Sequence, residues 1–199
     1  MAFGEHLKSV KNFIPNEKKD NLISLSELLN DKSKLKELEN TKGLYGFWLK
    51  KDDVQNFGRL NFKLQVKSKA TENEPHEVVW SWNKDEVFIP LYIGKSTVIG
   101  KRINQHLGTI SEKNWFLNAP PGNVVYKRKS TTNQFRAGLE QLLRNTKGLI
   151  KPGKENALDY FKDAVFIKII EEPSVENRFY LEDLSIGYYC PWFNIDAER

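Results

Sequence analysis

The order of strand-like and helix-like segments restricts the fold of this chain more than any other feature. GLYGFWLK, IPLYIGK and VFIKII are rich in aromatic or β-branched residues, as strands are. SLSELLN, STTNQFRAGLEQLLRN and the segment after Pro173 carry apolar residues three or four positions apart, which is typical of amphipathic helices. NFKLQVKSK and EVVWSWN flank the polar ATENEPH and predict a hairpin. Strands and helices therefore interleave around one mixed sheet, and the fold class is α+β.

Composition favours a single soluble domain with a basic surface. The 199 residues contain no repeat and no linker rich in Gly and Ser, so we expect one domain. Lys and Arg number 31 against 26 for Asp and Glu, and this excess favours polyanions such as nucleic acid. The single cysteine, Cys190, excludes an internal disulfide and a zinc site built from cysteines. Without a signal peptide or a long apolar run, we expect a cytoplasmic protein that does not enter membranes.

Gly94-Lys95-Ser96-Thr97 raises the question of a nucleotide-binding loop. Such a loop needs a glycine five residues before the Gly-Lys pair, so that backbone N–H groups surround the phosphates. Ile89 occupies that position, and the residues after it form a buried-strand sequence. We therefore predict that no nucleotide cofactor binds here.

The same stretch belongs to a longer series of chemistry-bearing residues. GLY and LYIGK lie on two strands, an arginine follows the second tyrosine by ten positions, and a histidine follows that arginine by four. Near the end of the chain, a glutamate and an asparagine stand twelve apart around Pro191. This order resembles the GIY-YIG nuclease superfamily, with Leu44 replacing the usual isoleucine. The residues concerned are Tyr45, Tyr92, Lys95, Arg102, His106, Glu182 and Asn194.

The resemblance implies an α/β sandwich with a small, mainly antiparallel central sheet flanked by helices. Residues 1–199 would form one nuclease domain, with 1–41 as a helical extension at the N-terminus. Two insertions depart from the family pattern: a β-rich segment at 51–89, which contains the hairpin, and a helical segment at 109–163. Both leave the family's characteristic strands and helices intact, so we expect them to affect specificity rather than chemistry.

The resemblance also implies a magnesium-dependent nuclease. Glu182 would hold Mg²⁺, or Mn²⁺, through its carboxylate oxygens, which are the ligands that magnesium prefers. Arg102 offers a planar fork that matches phosphate oxygens. Tyr45 would take a proton from the attacking water, with Lys95, Arg102 and the metal stabilising the phenolate. His106 would share that role or contact the phosphate.

The remaining family positions are Tyr92 and Asn194, which would orient phosphate, water or Glu182. Most of the proposed site residues also have a simpler structural interpretation. Tyr45 and Tyr92 are ordinary strand aromatics, Lys95 is a solvated lysine, and Asn194 caps the turn after Pro191. His106 shares a helical face with Ile99, Ile103 and Ile110, as a buried core histidine would.

Glu182 has two candidate partners. Val175, Phe179, Ile186 and Tyr189 form an apolar stripe that we predict to face the core, and Glu182 lies in the middle of it. A carboxylate placed there needs a partner, because an unpaired buried charge is costly. That partner is either a metal ion or Arg178, one turn earlier on the same helix.

The two insertions are the expected source of DNA recognition, because only five residues follow Asn194. Lys127, Arg128 and Lys129 can pair with phosphates, whereas Asn133, Gln134 and Arg136 can read base edges. Alternatively, the same helix is structural: Phe135, Leu139, Leu142 and Leu143 form a core stripe, and Arg136, Glu140 and Arg144 form a charge ladder. Trp80 and Trp82, alternating on a strand, either cover the core or contact DNA.

The resulting prediction is a site-specific, restriction-type endonuclease acting on double-stranded DNA. Because each chain has one site, cutting both strands of a palindrome suggests a homodimer on the DNA or a transient pairing of two copies. Two alternatives stay open: a structure-specific repair or recombination nuclease, and a non-catalytic DNA-binding module.

Overall fold

The described part of the chain contains two sheets. The computed structural model describes residues 4–16, 20, 22–54, 87–107, 135–136, 138–139, 142–143 and 157–194, and the backbone alone at 3, 62–67, 76–80 and 126–127. The strands are β1 Ile23–Ser24, β2 Gly43–Lys50, β3 Phe62–Lys67, β4 His76–Trp80, β5 Phe88–Ser96, β6 Tyr126–Lys127 and β7 Val165–Glu171. The main sheet has the order β1-β7-β2-β5, and every neighbouring pair in it is antiparallel.

Helices cover both faces of the main sheet, which makes the fold the α+β sandwich expected from the sequence. The helices are α1 Phe3–Lys11, α2 Leu25–Asn30, α3 Lys32–Glu37, α4 Ile99–Leu107, α5 Ala157–Phe161 and α6 Val175–Tyr189. Helical backbone also occurs at Phe135, Arg136, Gly138, Leu139, Leu142 and Leu143. None of the helices in the described ranges is both long and apolar enough to cross a membrane.

Two cores lie on opposite faces of the sheet. Tyr45, Phe47 and Leu49 of β2 pack into the core that α4 covers, whereas Leu44 and Trp48 pack into the core beneath α1 and α6. Both faces of β2 are therefore buried, and this is why the strand is a nearly continuous apolar run. Phe135, Leu139, Leu142 and Leu143 are buried in the α4-side core, as the core stripe in that insertion predicted.

A β-bulge places Tyr92 on the α4 side of the sheet. Phe47 pairs with Tyr92 and Trp48 pairs with Pro90, so Leu91 is an extra residue in β5. Leu91 and Tyr92 consequently pack into the same core, although neighbours on a regular strand point to opposite faces. The bulge brings the Tyr92 ring to the face that Tyr45 occupies.

The N-terminal segment packs against the main sheet and the α6-side core. β1 pairs with β7, and Val10 and Phe13 are buried in the α6-side core. Lys168 on β7 holds this segment in place through three contacts. Its Nζ donates to the carbonyls of Asn12 and Ile14 and to the Asp20 carboxylate at 2.6–3.0 Å. Neither α1 nor β1 was predicted from the sequence.

The second sheet joins the two insertions. The predicted hairpin is present as β3 and β4, which are antiparallel. β6, from the second insertion, pairs in parallel with β3 and sets Tyr126 opposite Val66 and Lys127 opposite Lys67. No sequence pattern connects the two insertions, whereas backbone pairing between β3 and β6 links them.

Candidate active site

Tyr45 on β2 and His106 on α4 form a buried polar pair. The Tyr45 hydroxyl lies 2.8 Å from Nε2 of His106, and the two residues are 1% and 0% exposed. Buried polar atoms are costly unless they are hydrogen-bonded, so each group supplies a partner for the other. His106 is therefore a buried histidine whose partner is the tyrosine that the sequence pattern marks as catalytic.

Tyr92 and Arg102 complete the surroundings of the Tyr45 hydroxyl. The Tyr45 and Tyr92 rings are stacked with centroids 6.3 Å apart, and the Tyr92 ring lies 4.7 Å from that of His106. Arg102 and Tyr92 lie close enough to the Tyr45 phenol to influence its pKa. Arg102 Nη1 donates to Gln105 one turn later on α4 at 3.1 Å, which fixes the guanidinium beside the two tyrosines.

The pKa values of the two tyrosines show which charges lie near them. Burial, followed by Tyr92, raises the pKa of Tyr45 well above its usual range, and Arg102 opposes that rise. Burial likewise raises the pKa of Tyr92 to about 12, again against the influence of Arg102. The charge of Glu182 acts in the same direction as burial on both groups. Both phenols are protonated at neutral pH, and Arg102 and Glu182 lie within electrostatic reach of them.

Because Gly94 has no side chain, the Tyr45 phenol can occupy the space beside it. Tyr45 and Gly94 are paired across β2 and β5. A Cβ atom at Gly94 would lie 2.6 Å from the Tyr45 hydroxyl oxygen and 3.0 Å from the Tyr92 ring. The glycine of the YIG sequence is therefore needed for the close approach of the two tyrosines, and its backbone flexibility plays no part in this requirement.

Glu182 on α6 is bound to Lys95 through both carboxylate oxygens. Oε1 accepts the backbone N–H of Lys95 at 3.0 Å, and Oε2 contacts the Lys95 ammonium. The side chains of Lys95 and Glu182 are 26% and 16% exposed, so they form the solvent-facing part of the site. The carboxylate is held at the end of β5, next to Gly94.

Arg178 is not the partner of Glu182. Its Nη1 instead donates to the carbonyls of Glu172 and Pro173, both at 2.8 Å, and the residue is 3% exposed. The predicted core stripe on α6 was partly wrong, because Val175 and Phe179 are 58% and 54% exposed. The buried face of α6 consists of Arg178, Leu181 and Ser185.

The Asn194 side chain lies against β5, the edge strand of the main sheet. Its Oδ1 accepts the Ile93 N–H at 2.8 Å, and its Nδ2 donates to the Ile93 carbonyl at 2.7 Å. The preceding residues continue this pattern, since Phe193 N–H donates to Leu91 and Trp192 N–H to Pro90. The amide thus fixes the backbone between Tyr92 and Gly94, a contact that none of the roles predicted from the sequence included.

Most of the residues predicted to bind DNA fall outside the described part of the chain. Arg128, Lys129, Asn133, Gln134 and Trp82 are in this group, and only the backbone is described at Lys127 and Trp80. Arg136 is half-buried beside Phe135, whose ring stacks on Phe47 at 4.0 Å.

The donor set fits one divalent cation with a large share of water ligands. No group of three or more His, Cys, Asp or Glu side chains that could hold a metal occurs among the described residues. Magnesium often uses one or two carboxylates together with water and substrate phosphate, so Glu182 alone meets the protein's share. In the structure, the Glu182 carboxylate already holds a cationic group, the Lys95 ammonium.

Comparison with known proteins found no matching family model, no matching curated protein and no matching solved structure. The resemblance to GIY-YIG nucleases therefore rests on the residue pattern, and the positions of these side chains are an independent observation.

Sequence reasoning missed three features of this site. Phe179 was assigned to the core, whereas its ring lies beside the Lys95 ammonium. The bulge at Leu91 leaves no sequence signal that distinguishes it from a regular apolar strand. The contact of Asn194 with Ile93 depends on the path of the chain after α6, which the proline turn alone does not determine.

Proposed function

We propose that this protein is a metal-dependent endonuclease of GIY-YIG type that hydrolyses phosphodiester bonds in double-stranded DNA. The observation that carries the proposal is the convergence of Tyr45, Tyr92, Arg102 and Glu182 at one end of β2 and β5. These residues are far apart in the sequence, and two strands and two helices bring them together. A tyrosine pair, a guanidinium and a carboxylate supply the proton acceptor, phosphate ligand and metal ligand that phosphodiester hydrolysis requires.

Arg102 and Lys95 provide the positive charge for the substrate. The Arg102 guanidinium, which donates to Gln105, can present further donors to two phosphate oxygens. The Lys95 ammonium lies at the solvent-facing part of the site, where it can approach the scissile phosphate. A magnesium ion on Glu182 would supply additional stabilisation of the negative charge that develops in the transition state.

Tyr45 and His106 form the route for the proton. Because the Tyr45 phenol is protonated at neutral pH, it can accept a proton from water only if it releases its own. Nε2 of His106, 2.8 Å away, is the acceptor for that proton when the imidazole is neutral. The positive charge that His106 gains stabilises the transient Tyr45 phenolate. The phenolate oxygen then takes the proton of the attacking water.

The additional sheet supports the restriction-type version of the proposal. β3 and β6 unite the two insertions and place the backbones of Lys67 and Lys127 opposite each other. Such a sheet would offer further surface for contacts with the duplex, and the net charge of +5 favours binding to DNA. Two copies would cut both strands of a palindromic site.

The substrate class is tested by digesting plasmid DNA and branched oligonucleotides with the same protein in magnesium buffer. Discrete plasmid fragments are the result expected for a restriction-type enzyme. Preferential cutting of flaps or junctions would instead identify a repair or recombination nuclease. Salt-sensitive DNA binding without cleavage of any of these substrates would contradict the enzymatic proposal.

A further inference from the structure

Phe179 is an exposed aromatic residue that does not pack into either core of the fold. The residue is 54% exposed and lies on α6, whose buried face consists of Arg178, Leu181 and Ser185. It belongs to neither of the two cores. Packing therefore does not explain a phenylalanine here.

The ring of Phe179 contacts the candidate active site. The Lys95 Nζ lies 3.9 Å from the centroid of the ring, a distance at which the ammonium is attracted to the aromatic face. Phe179 precedes Glu182 by three residues, which places both side chains on the same side of α6. Since Lys95 also contacts Glu182 Oε2, its ammonium is held between an aromatic face and a carboxylate oxygen.

A metal ion on Glu182 would change this arrangement. The Oε1 atom keeps the carboxylate in place through the backbone N–H of Lys95, so the ammonium and a divalent cation compete for Oε2. Like charges at one oxygen repel each other, and the lysine stem has enough rotatable bonds to move its ammonium into solvent. The aromatic face beside it offers a position that involves no carboxylate oxygen.

We propose that Phe179 is a positioning residue, whose ring keeps the Lys95 ammonium at the reaction site when a metal ion occupies Glu182. This inference rests on the proposed nuclease function and adds a residue that the family pattern does not include. Because the ring acts through Lys95, its contribution must disappear when the lysine is absent. An exposed aromatic that only contacts DNA, or that only stabilises α6, has no such dependence.

Three variants and one control define the test. Phe179→Leu keeps the apolar bulk but removes the aromatic face, whereas Phe179→Tyr keeps the face. Lys95→Met removes the ammonium. Tyr180→Leu is the matched control, because Tyr180 is a neighbouring aromatic on α6 that is 62% exposed and whose ring lies near His6, 6.1 Å away.

The contact itself is measured by NMR without DNA, first in the absence of metal and then with Mg²⁺. Protons above an aromatic face resonate upfield, so the ε-methylene protons of Lys95 should be shifted upfield in the wild type, in Phe179→Tyr and in Tyr180→Leu. The shift should disappear in Phe179→Leu. Adding Mg²⁺ should leave the upfield shift in place in the wild type. A Lys95 resonance that is the same in the wild type and in Phe179→Leu would overturn the proposal.

The role in the reaction is measured with a double-mutant cycle on DNA cleavage. Phe179→Leu should lower the cleavage rate about two- to fivefold, the range expected for one exposed cation–π contact. Phe179→Tyr should restore the rate, and Tyr180→Leu should leave it unchanged. In the Lys95→Met background, Phe179→Leu should have no further effect; an equal loss in both backgrounds would show that Phe179 acts independently of Lys95. If the wild type cleaves no DNA, the nuclease proposal fails, and the positioning role fails with it even if the NMR shift is present.

Discussion

The hydroxyl of Tyr45 and Nε2 of His106 lie 2.8 Å apart in the interior of the protein, although 61 positions separate them in the sequence. Tyr92 and Arg102 lie close enough to influence the pKa of this phenol, so residues of β2, β5 and α4 meet around it. A single substitution at Tyr45 removes the hydrogen bond to His106.

Deleting the Tyr45 hydroxyl should abolish catalysis with a moderate loss of stability. We expect Tyr45→Phe to lower the single-turnover cleavage rate by about a hundredfold or more, because the proton of the attacking water loses its acceptor. His106 also loses a buried partner, which should reduce the free energy of unfolding by about 1–3 kcal/mol. Both quantities are obtained from cleavage assays and urea unfolding of the same preparations.

Tyr189→Phe is the matched control for this deletion. The Tyr189 hydroxyl donates to the Val10 carbonyl at 2.6 Å and accepts the Ile14 N–H at 3.1 Å, so its partners belong to the N-terminal segment. The variant should lose stability but keep the wild-type cleavage rate. If Tyr45→Phe and Tyr189→Phe cleave equally well, Tyr45 has no role in the proton transfer.

A methyl group at Gly94 should displace the tyrosine pair. We expect Gly94→Ala to destabilise the protein by about 1–3 kcal/mol and to remove cleavage, because its Cβ would lie 2.6 Å from the Tyr45 hydroxyl oxygen. Gly187→Ala provides the opposite case on α6, where no atom lies within 4 Å of the added Cβ. It should raise the free energy of unfolding by up to about 1 kcal/mol. Thermal melting of the two variants should therefore move in opposite directions, and a stable, active Gly94→Ala would contradict the proposed packing of the tyrosines.

Alkaline pH should destabilise the protein partly through Tyr92. Its pKa is about 12 in the folded protein, above the usual value near 10, so the folded state retains the proton that the unfolded state loses. The corresponding stability is complete below about pH 10 and is lost as the pH rises to about 12, by roughly 2–3 kcal/mol in total. Urea unfolding of Tyr92→Phe should show a smaller decline over this pH interval. An identical decline in both proteins would mean that Tyr92 has an ordinary pKa.

Removing the Lys95 ammonium should strengthen metal binding. In the metal-free protein this ammonium contacts Glu182 Oε2, so Lys95→Met should bind Mn²⁺ about two- to fivefold more tightly than the wild type. Titration calorimetry without DNA measures this change, with the exposed Lys101→Met as the charge-matched control. Weaker binding to Lys95→Met than to Lys101→Met would show that the lysine and the metal do not compete.

The sequence predicted most strands and helices correctly, but it predicted their tertiary contacts and the exposure of their side chains less well. Strand patterns such as VFIKII and the hairpin signal at ATENEPH depend on local residue preferences, and the structure contains these strands. The α1 helix and β1 were missed because their stability depends on contacts with α6 and β7 that are distant in sequence. The exposure of Phe179 was also mispredicted, since helical periodicity shows that residues share a face but does not show which face is covered.

The members of the candidate site could be named from their order in the sequence, but their contacts could not. Nothing in the sequence assigns Lys95, rather than Arg178, to Glu182, because both residues are cations within reach of an α6 carboxylate. The choice follows from the path of the chain: Arg178 is occupied by the carbonyls that precede α6, and β5 delivers Lys95 to Glu182. Long-range geometry of this kind is a property of the packed structure.

The most direct test of the nuclease proposal is plasmid cleavage by the wild type and by Glu182→Gln, purified in parallel and assayed in magnesium buffer with and without EDTA. Gln keeps the size of the side chain and removes the charge that would hold the metal. We predict cleavage by the wild type that stops with EDTA, and a loss of about a hundredfold or more in Glu182→Gln. Equal, EDTA-insensitive cleavage by both proteins would contradict the central role of Glu182.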